Sequence, residues 1–455
     1  MKEYDVCIIG AGPAGYSAAY KISKETSMKI ALFEKGYSSF NKHNCPIQEG
    51  KVKECCNCKI CSVMNSFGGA GSKSDLKFNI TNEFGGELWR KIGKEKSLKL
   101  QEEVDKINLE MLDGIAPKLY ESDNTEIKKE CLKNNLHLLS AKVRHLGTEN
   151  APKLLNGYET FLKEHDVSLF FEKEIKNIKK EDEYYILDNE YKCKYLIICA
   201  GRSGSKWLEN ICDELKLKRK SNRVDLGVRV EIPYEITSHL TDVLYEPKIV
   251  YKTELYEDEI RSFCVNPKGE VVSENTNGII TVNGHSYEDK TKHTKNTNFA
   301  LLVSQYFTEP FNNSNEYGES IARLSNMLGG GVIVQRFGDL IRCKRTNEER
   351  LKRNTVIPTL SATPGDLSLV LPHRFVEDIK EMFYALDKIA PGMKNDDNLL
   401  YGVEVKFYNN SIDVNSNLEA DKNLFIIGDS SGWTHSLSQA AASGLYVGYY
   451  LTNKE

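Results

Sequence analysis

The chain has 455 residues, 61 basic and 65 acidic, and a net charge of −4. That length allows more than one hydrophobic core, and the balanced charge offers no basic stripe for nucleic acid or an anionic membrane. No apolar run approaches the roughly 20 residues of a bilayer span, so neither nucleic acid nor membrane is an expected partner. Five of the 12 cysteines fall between Cys45 and Cys61, a clustering that suits metal or redox chemistry in a reducing cytosol better than a secreted disulfide scaffold. The expected location is therefore cytoplasmic.

The first 34 residues carry the densest signal. The apolar run Tyr4–Ile9 reads as a strand, Gly10-Ala11-Gly12-Pro13-Ala14-Gly15 as a glycine turn, and Tyr16–Lys24 as a helix. Met28–Phe33 reads as a second strand closing on Glu34. In a dinucleotide fold, Gly10 makes the tight turn, Gly12 lets the backbone approach a pyrophosphate, and Gly15 lets helix and strand pack closely. Pro13 and Ala14 open a helix whose N-terminal N–H groups face the phosphates. Glu34, 19 residues past Gly15 and followed by Lys35, fits the ribose-binding acid expected about 20 residues on.

Farther along, residues 41–66 form a cysteine-rich loop without apolar periodicity. A second glycine-rich turn follows, in which Gly69, Ala70, Gly71 and Ser72 are candidate cofactor contacts. Lys96–Leu112 and Leu154–His165 have helical patterning, a short helix is expected within Glu126–Leu139, and Ser168–Phe171 reads as a strand. Tyr195–Cys199 stops at Ala200-Gly201 and Leu424–Ile427 stops at Gly428-Asp429; both are continuous apolar runs of the buried parallel type. A helix-compatible stretch, Ser438–Leu451, follows. Small residues and an acid at strand ends belong on the ligand side of an open α/β sheet.

The implied fold class is α/β: a Rossmann-like domain assembled from residues 1–224 and 399–455, with an inserted α+β substrate domain at 225–398. Inside the insertion, Asp225–Glu231, Lys248–Thr253, Arg261–Val265 and Gly278–Val282 read as strands. Phe299–Tyr306, Glu316–Leu328 and Arg374–Ile389 read as helices. Three returning segments, with Asp429 available to a ribitol, suit an extended FAD better than NAD. No second GxGxxG with its acid is present for a separate NAD(P)H domain.

Together these motifs resemble the two-dinucleotide-binding-fold flavoproteins, and more closely the FAD-dependent dehydrogenases with a cysteine-rich loop. The resemblance is carried by Cys45-Pro46, Cys55/Cys58/Cys61, Gly68-Gly69-Ala70-Gly71, His145-Leu146-Gly147-Thr148, Gly227-Val228-Arg229-Val230-Glu231, Phe263-Cys264, Asn283-Gly284-His285-Ser286 and Gly402-Val403-Glu404. It departs at Ser74-Asp75-Leu76-Lys77, Val405-Lys406-Phe407 and Gly428-Asp429-Ser430-Ser431-Gly432-Trp433. It implies FAD as cofactor, and it puts Ile175, on an expected strand Glu172–Ile178, at the adenine.

The expected activity is FAD-dependent hydride transfer to or from a small organic substrate, in the favoured version reduction of an activated C=C bond. Rival readings are an electron-transfer module serving a protein partner and a flavoprotein acting on RNA. Candidate catalytic residues are His435, six residues past Asp429, together with His285 and Arg229; a histidine can deliver a proton and an arginine can hold negative charge. Cys45, Cys55, Cys58 and Cys61 have the thiolate spacing of a 4Fe–4S ligand set, which would admit electrons from a ferredoxin-like donor. Zinc and free thiols are the alternatives.

Overall fold

The N-terminal apolar run becomes strand Lys2–Ile9, at the middle of an eight-stranded sheet. The computed structural model describes residues 1–41, 45–46, 51, 58–62, 65–276, 278–287 and 290–454. They divide into two compact units, one of residues 1–120, 141–222 and 408–455, the other of residues 121–140 and 223–407. Among them no helix is long and apolar enough to cross a membrane.

In the first unit, Lys2–Ile9 pairs in parallel with Ile30–Phe33 on one side and Tyr191–Ile198 on the other. The latter pairs in parallel with Leu424–Ile426, and Ser168–Phe170 extends the far edge. Val6, Cys7, Ile8, Leu196, Ile197, Ile198 and Leu424–Ile426 are completely buried, which is why these runs are continuously apolar and do not alternate. Helix Pro13–Glu25 returns across the sheet beneath helix Leu437–Thr452. Small residues set their spacing: a Cβ at Gly444 would lie 2.1 Å from the Ala14 carbonyl oxygen. On either side of the cysteine-rich stretch, Tyr37 bridges Ser66 and the Phe67 N–H donates to the Tyr37 carbonyl at 2.8 Å.

The second unit is built on a mostly antiparallel eight-stranded sheet. Its order is Thr363–Pro364, Ile333–Arg336, Leu399–Lys406, Val224–Pro233, Asn296–Gln305, Glu259–Asn266, Lys248–Lys252, Leu136–Leu139. Helices Ser314–Gly329 and His373–Asp387 cover it with Ala322, Phe375, Ile379, Met382 and Phe383. The unit takes in residues 121–140 as well and runs to Phe407.

Two local expectations are corrected. Phe299–Tyr306, read as helix, falls in strand Asn296–Gln305 up to Gln305, because strands pair with it along both edges and Phe299–Val303 are buried on both faces. Ile175 lies on no strand, since regular pairing begins at Ile178. The short helix expected within Glu126–Leu139 forms at Thr125–Lys133; Asn135 then turns at φ 58° and Leu136–Leu139 joins the sheet.

Candidate functional site

The glycine loop shows two kinds of glycine. Gly10 has φ 102°, and a Cβ there would sit 2.4 Å from the Cys199 carbonyl oxygen. At Gly15 a Cβ would sit 1.9 Å from the Gly10 carbonyl oxygen. Both are glycine because the chain itself occupies the space. At Gly12 a Cβ would meet nothing within 4 Å, and its backbone, φ −73° and ψ −175°, suits any residue. Gly12 is therefore bare toward open space, at the N-cap of a 13-residue helix that has no side-chain cap. Unsatisfied N–H groups and the positive end of the helix dipole face that space, the chemistry that receives a diphosphate. The loop fits an ADP-containing cofactor.

Glu34 is buried at the tip of the second strand. Its Oε2 accepts from the Ala11 N–H at 2.9 Å and its Oε1 from the Gly36 N–H at 2.8 Å. Burial pushes its carboxyl above the ordinary range, while those two N–H groups pull the other way. Lys35 points elsewhere and donates to the Ser203 carbonyl at 3.2 Å. Ile175 is buried in an extended segment whose Lys173 N–H donates to the Glu34 carbonyl.

The second glycine turn docks on the first. The Gly68 N–H donates to the Ala11 carbonyl at 2.8 Å, and the Gly69–Gly71 turn brings Gly69 against the Gly12 Cα. Ala70 lies within that turn, and Ser72, just after it, accepts from the Ser66 hydroxyl at 2.7 Å. The remaining strand ends gather at the same edge of the sheet. The Gly201 N–H, next to Ala200, donates to Ser430 Oγ at 2.9 Å, and the Gly428 N–H to Ser443 Oγ at 3.0 Å. Arg202 Nε holds Asp429 Oδ2 at 2.9 Å. Asn409, which sequence reasoning missed, ties these turns together through Asp429 O at 2.8 Å and Gly201 O at 3.4 Å. The Asn409-Asn410 pair just after the insertion was its only signal in the sequence.

His435 belongs to the same unit. Its backbone N–H donates to the Gly85 carbonyl at 2.9 Å, and its ring lies 4.4 Å from that of Tyr408, another residue the sequence did not single out. His145 faces Asp75 at 3.4 Å, and Lys77 faces the same carboxylate at 3.0 Å. Burial raises the Asp75 carboxyl, but hydrogen bonding to His145 and the charge of Lys77 outweigh it and hold it well below its ordinary range.

In the second unit, Arg229 is completely buried. Its Nε donates to Asn298 Oδ1 at 3.0 Å and its Nη1 to Glu404 Oε2 at 3.4 Å. His285 ends strand Ile279–His285, exposed, with its ring 4.7 Å from that of Tyr287. Arg261 pairs with the buried Asp225.

Of the cysteine loop, Cys45 and Cys61 are half-buried and Cys58 is exposed; Cys55 lies outside the described residues. Among the described residues no group of three or more His, Cys, Asp or Glu side chains is arranged to hold a metal.

Residues 225–407 match the family model described as FAD-dependent protein, C-terminal domain-like, and residues 1–40 match that of the Thi4 family. No curated protein matches the chain. Among solved structures it is similar to glycine oxidase from Geobacillus kaustophilus, at 11% identity and a TM-score of 0.41, over 100% of this chain and 96% of that one. It is also similar to a flavoprotein/dehydrogenase from Cytophaga hutchinsonii, at 12% and 0.39, over 100% and 80% respectively. A third is the Sdh1 complex of Mycobacterium smegmatis in the apo form, at 12% and 0.42, over 99% and 68%. Identities and TM-scores this low carry no function across.

Proposed function

We propose that the chain, whose residues 225–407 match the FAD-dependent protein, C-terminal domain-like model, is an FAD-dependent oxidoreductase acting on a small organic substrate, with an activated C=C bond as the group reduced. The observation that carries the cofactor assignment is the bare Cα of Gly12 at an uncapped helix N-terminus, between two glycines that the fold itself requires. FAD, when bound, supplies the hydride chemistry.

The chain's own residues bind, orient and move protons. Gly10, Gly12, Pro13, Ala14 and Gly15 supply the backbone cradle, with Glu34 at the ribose. The Gly69–Ser72 turn, Ile175, Ala200-Gly201 and Gly428-Asp429 line the rest of the cofactor path. His435 donates the proton that completes reduction, with Tyr408 fixing its ring. General acid catalysis of this kind contributes about 100-fold or more.

The test uses the purified full chain. Acid precipitation should release FAD into the supernatant. With cyclohexenone as the probe alkene, the photoreduced His435→Ala variant should reoxidise about 100-fold more slowly at unchanged FAD content. Flavin retained by the acid pellet would refute non-covalent binding, and an unchanged rate across pH 6–9, about the span in which histidine titrates, would remove His435.

Cys45, Cys55, Cys58 and Cys61 have the donor chemistry of a 4Fe–4S ligand set, and their spacing alone supports such a cluster. A ferredoxin-like donor in a reducing cytosol is the partner this reading calls for. Anaerobic purification should then yield about four irons and four sulfides per chain, lost from Cys58→Ala/Cys61→Ala protein that keeps its FAD. Iron-free protein after reconstitution would refute the cluster, and zinc in its place would make the loop a structural site.

A further inference from the structure

The turns that follow strands Tyr191–Ile198 and Leu424–Ile426 flank the glycine loop of the first unit from two sides. A Cβ at Gly10 would lie 3.2 Å from the Ala200 Cα, and one at Gly428 would lie 2.8 Å from the Ala14 Cβ. Arg202 and Asp429 come within two residues of those contacts, which brings them to the N-terminal end of helix Pro13–Glu25. There Arg202 Nε holds Asp429 Oδ2 at 2.9 Å. Asn409 fixes the backbones that carry the pair, its Nδ2 donating to the Asp429 carbonyl at 2.8 Å and to the Gly201 carbonyl at 3.4 Å. The Gly201 N–H adds a further link, to Ser430 Oγ at 2.9 Å.

This ion pair is open to the outside. The Arg202 side chain is 49% exposed and that of Asp429 24%, and a Cβ at Gly201 would meet nothing within 4 Å. An exposed pair adds little to folding stability; what the cross-links fix is the direction of the carboxylate. Only one of its oxygens is used: Asp429 Oδ1 accepts no hydrogen bond among the described residues. A carboxylate accepts and does not donate, so it has no bond to offer the diphosphate that the neighbouring helix N-terminus receives. It can accept from a hydroxyl. FAD carries hydroxyls on both sides of its diphosphate, on the adenosine ribose, where Glu34 stands, and on the ribitol of the flavin half.

We propose that Arg202 is a positioning residue for FAD: by holding Oδ2 it turns Asp429 so that Oδ1 accepts from a ribitol hydroxyl, and Asn409 keeps the two turns apposed. The proposal rests on the FAD reading of the site and adds to it the means by which the chain distinguishes the flavin dinucleotide from ADP alone. A hydrogen bond to a charged acceptor is about twice as strong as a neutral one, and it is lost when the acceptor can swing away.

The test is equilibrium titration of the flavin-stripped full chain with FAD and, separately, with ADP, which carries the diphosphate but no ribitol. Arg202→Gln should weaken FAD about tenfold, the effect of losing one charge-assisted hydrogen bond, and should leave ADP unchanged. In an Asp429→Ala background the same substitution should cost nothing further, because the carboxylate it positions is gone. FAD binding unaffected by Arg202→Gln would overturn the proposal. So would ADP weakened as much as FAD, which would make Arg202 a phosphate ligand or a purely structural link. Equal losses from Arg202→Gln with and without Asp429 would overturn it too, since the arginine would then act by another route. Wild-type protein that binds no FAD is a different result, which overturns the FAD reading itself.

Discussion

The two eight-stranded sheets differ in what they bury. In the first unit the parallel strands Lys2–Ile9 and Tyr191–Ile198 put apolar side chains on both faces, and their polar chemistry is confined to the turns at the strand ends. In the second, the antiparallel strands carry Asp225, Arg229, Glu231, Asn298 and Glu404 into the interior itself. A parallel sheet covered on both faces can hold a ligand only at its edge. An antiparallel sheet can carry ions on one face, and the partners of those ions then decide what that face can bind. The Glu231 carboxylate illustrates the satisfied case, held by the Tyr401 hydroxyl at 2.6 Å and the Thr359 hydroxyl at 2.6 Å. Glu404, shared between Arg229 at 3.4 Å and Lys406 at 3.3 Å, illustrates the looser one.

The largest expected effect comes from breaking the ionic sheet. Glu404→Leu removes the buried carboxylate that Arg229 and Lys406 share and should cost about 3–5 kcal/mol in urea unfolding. Replacing Arg229, Glu404 and Lys406 together by Met, Leu and Met should recover most of that loss, because the desolvation of all three charges disappears at once. Failure of the triple variant to recover would mean that the cluster is not electrostatically strained.

In the apolar sheet the corresponding weak point is steric. Gly15→Val drives a Cβ to 1.9 Å from the Gly10 carbonyl oxygen and should cost about 3 kcal/mol, with a matching fall in the unfolding midpoint. A midpoint within error of the wild type would show that helix Pro13–Glu25 can slide away from the strand.

A smaller effect tests ionic burial away from the cluster. Asp378 is completely buried; burial pushes its carboxyl up to about 7, with hydrogen bonding to Thr253 opposing the shift and the nearby Asp258 adding to it. Its folded pKa lies above the unfolded value of about 3.9, so the native state holds the extra proton between those limits. Stability from this group is therefore present at pH 4 and lost as pH rises through 7. Burial raises Asp258 too, but Arg374 outweighs it and leaves that carboxyl lowered, so its contribution is lost only at the acid end. Asp378→Asn should flatten the upper slope and raise Tm at pH 8 by roughly 2–4 °C. An unchanged Tm–pH curve between pH 5 and 8 would contradict the assignment.

The apolar sheet was far easier to read in the sequence than the ionic one. Gly10, Gly12, Gly15 and Glu34 occupy one contiguous stretch, and the runs Tyr195–Cys199 and Leu424–Ile427 announce themselves by length and by the small residues that end them. The division of labour among the glycines was not legible, because open space at Gly12 and contact at Gly15 depend on atoms from other segments. In the second unit, Phe299-Ala300-Leu301-Leu302-Val303 is too short and too uniformly apolar for periodicity to separate a central strand from a buried helix turn, and tertiary pairing decided it. Arg229 stood out as a candidate, but its partners Asn298 and Glu404 lie 69 and 175 residues away. The sharing of one carboxylate by two cations can be seen only once the strands are aligned. Tyr408 and Asn409 follow the insertion directly and act through residues on either side of it, a link that no local pattern encodes.

FAD binding depends most on the open space at Gly12, and acid-released FAD from Gly12→Leu protein tests it most directly. Because a Cβ there would meet nothing within 4 Å, the variant should fold with the circular dichroism spectrum and unfolding midpoint of flavin-stripped wild type. It should nonetheless hold less than about a tenth of the wild-type flavin, because the leucine would occupy the diphosphate's place. Gly12→Leu protein carrying as much FAD as the wild type would contradict the account.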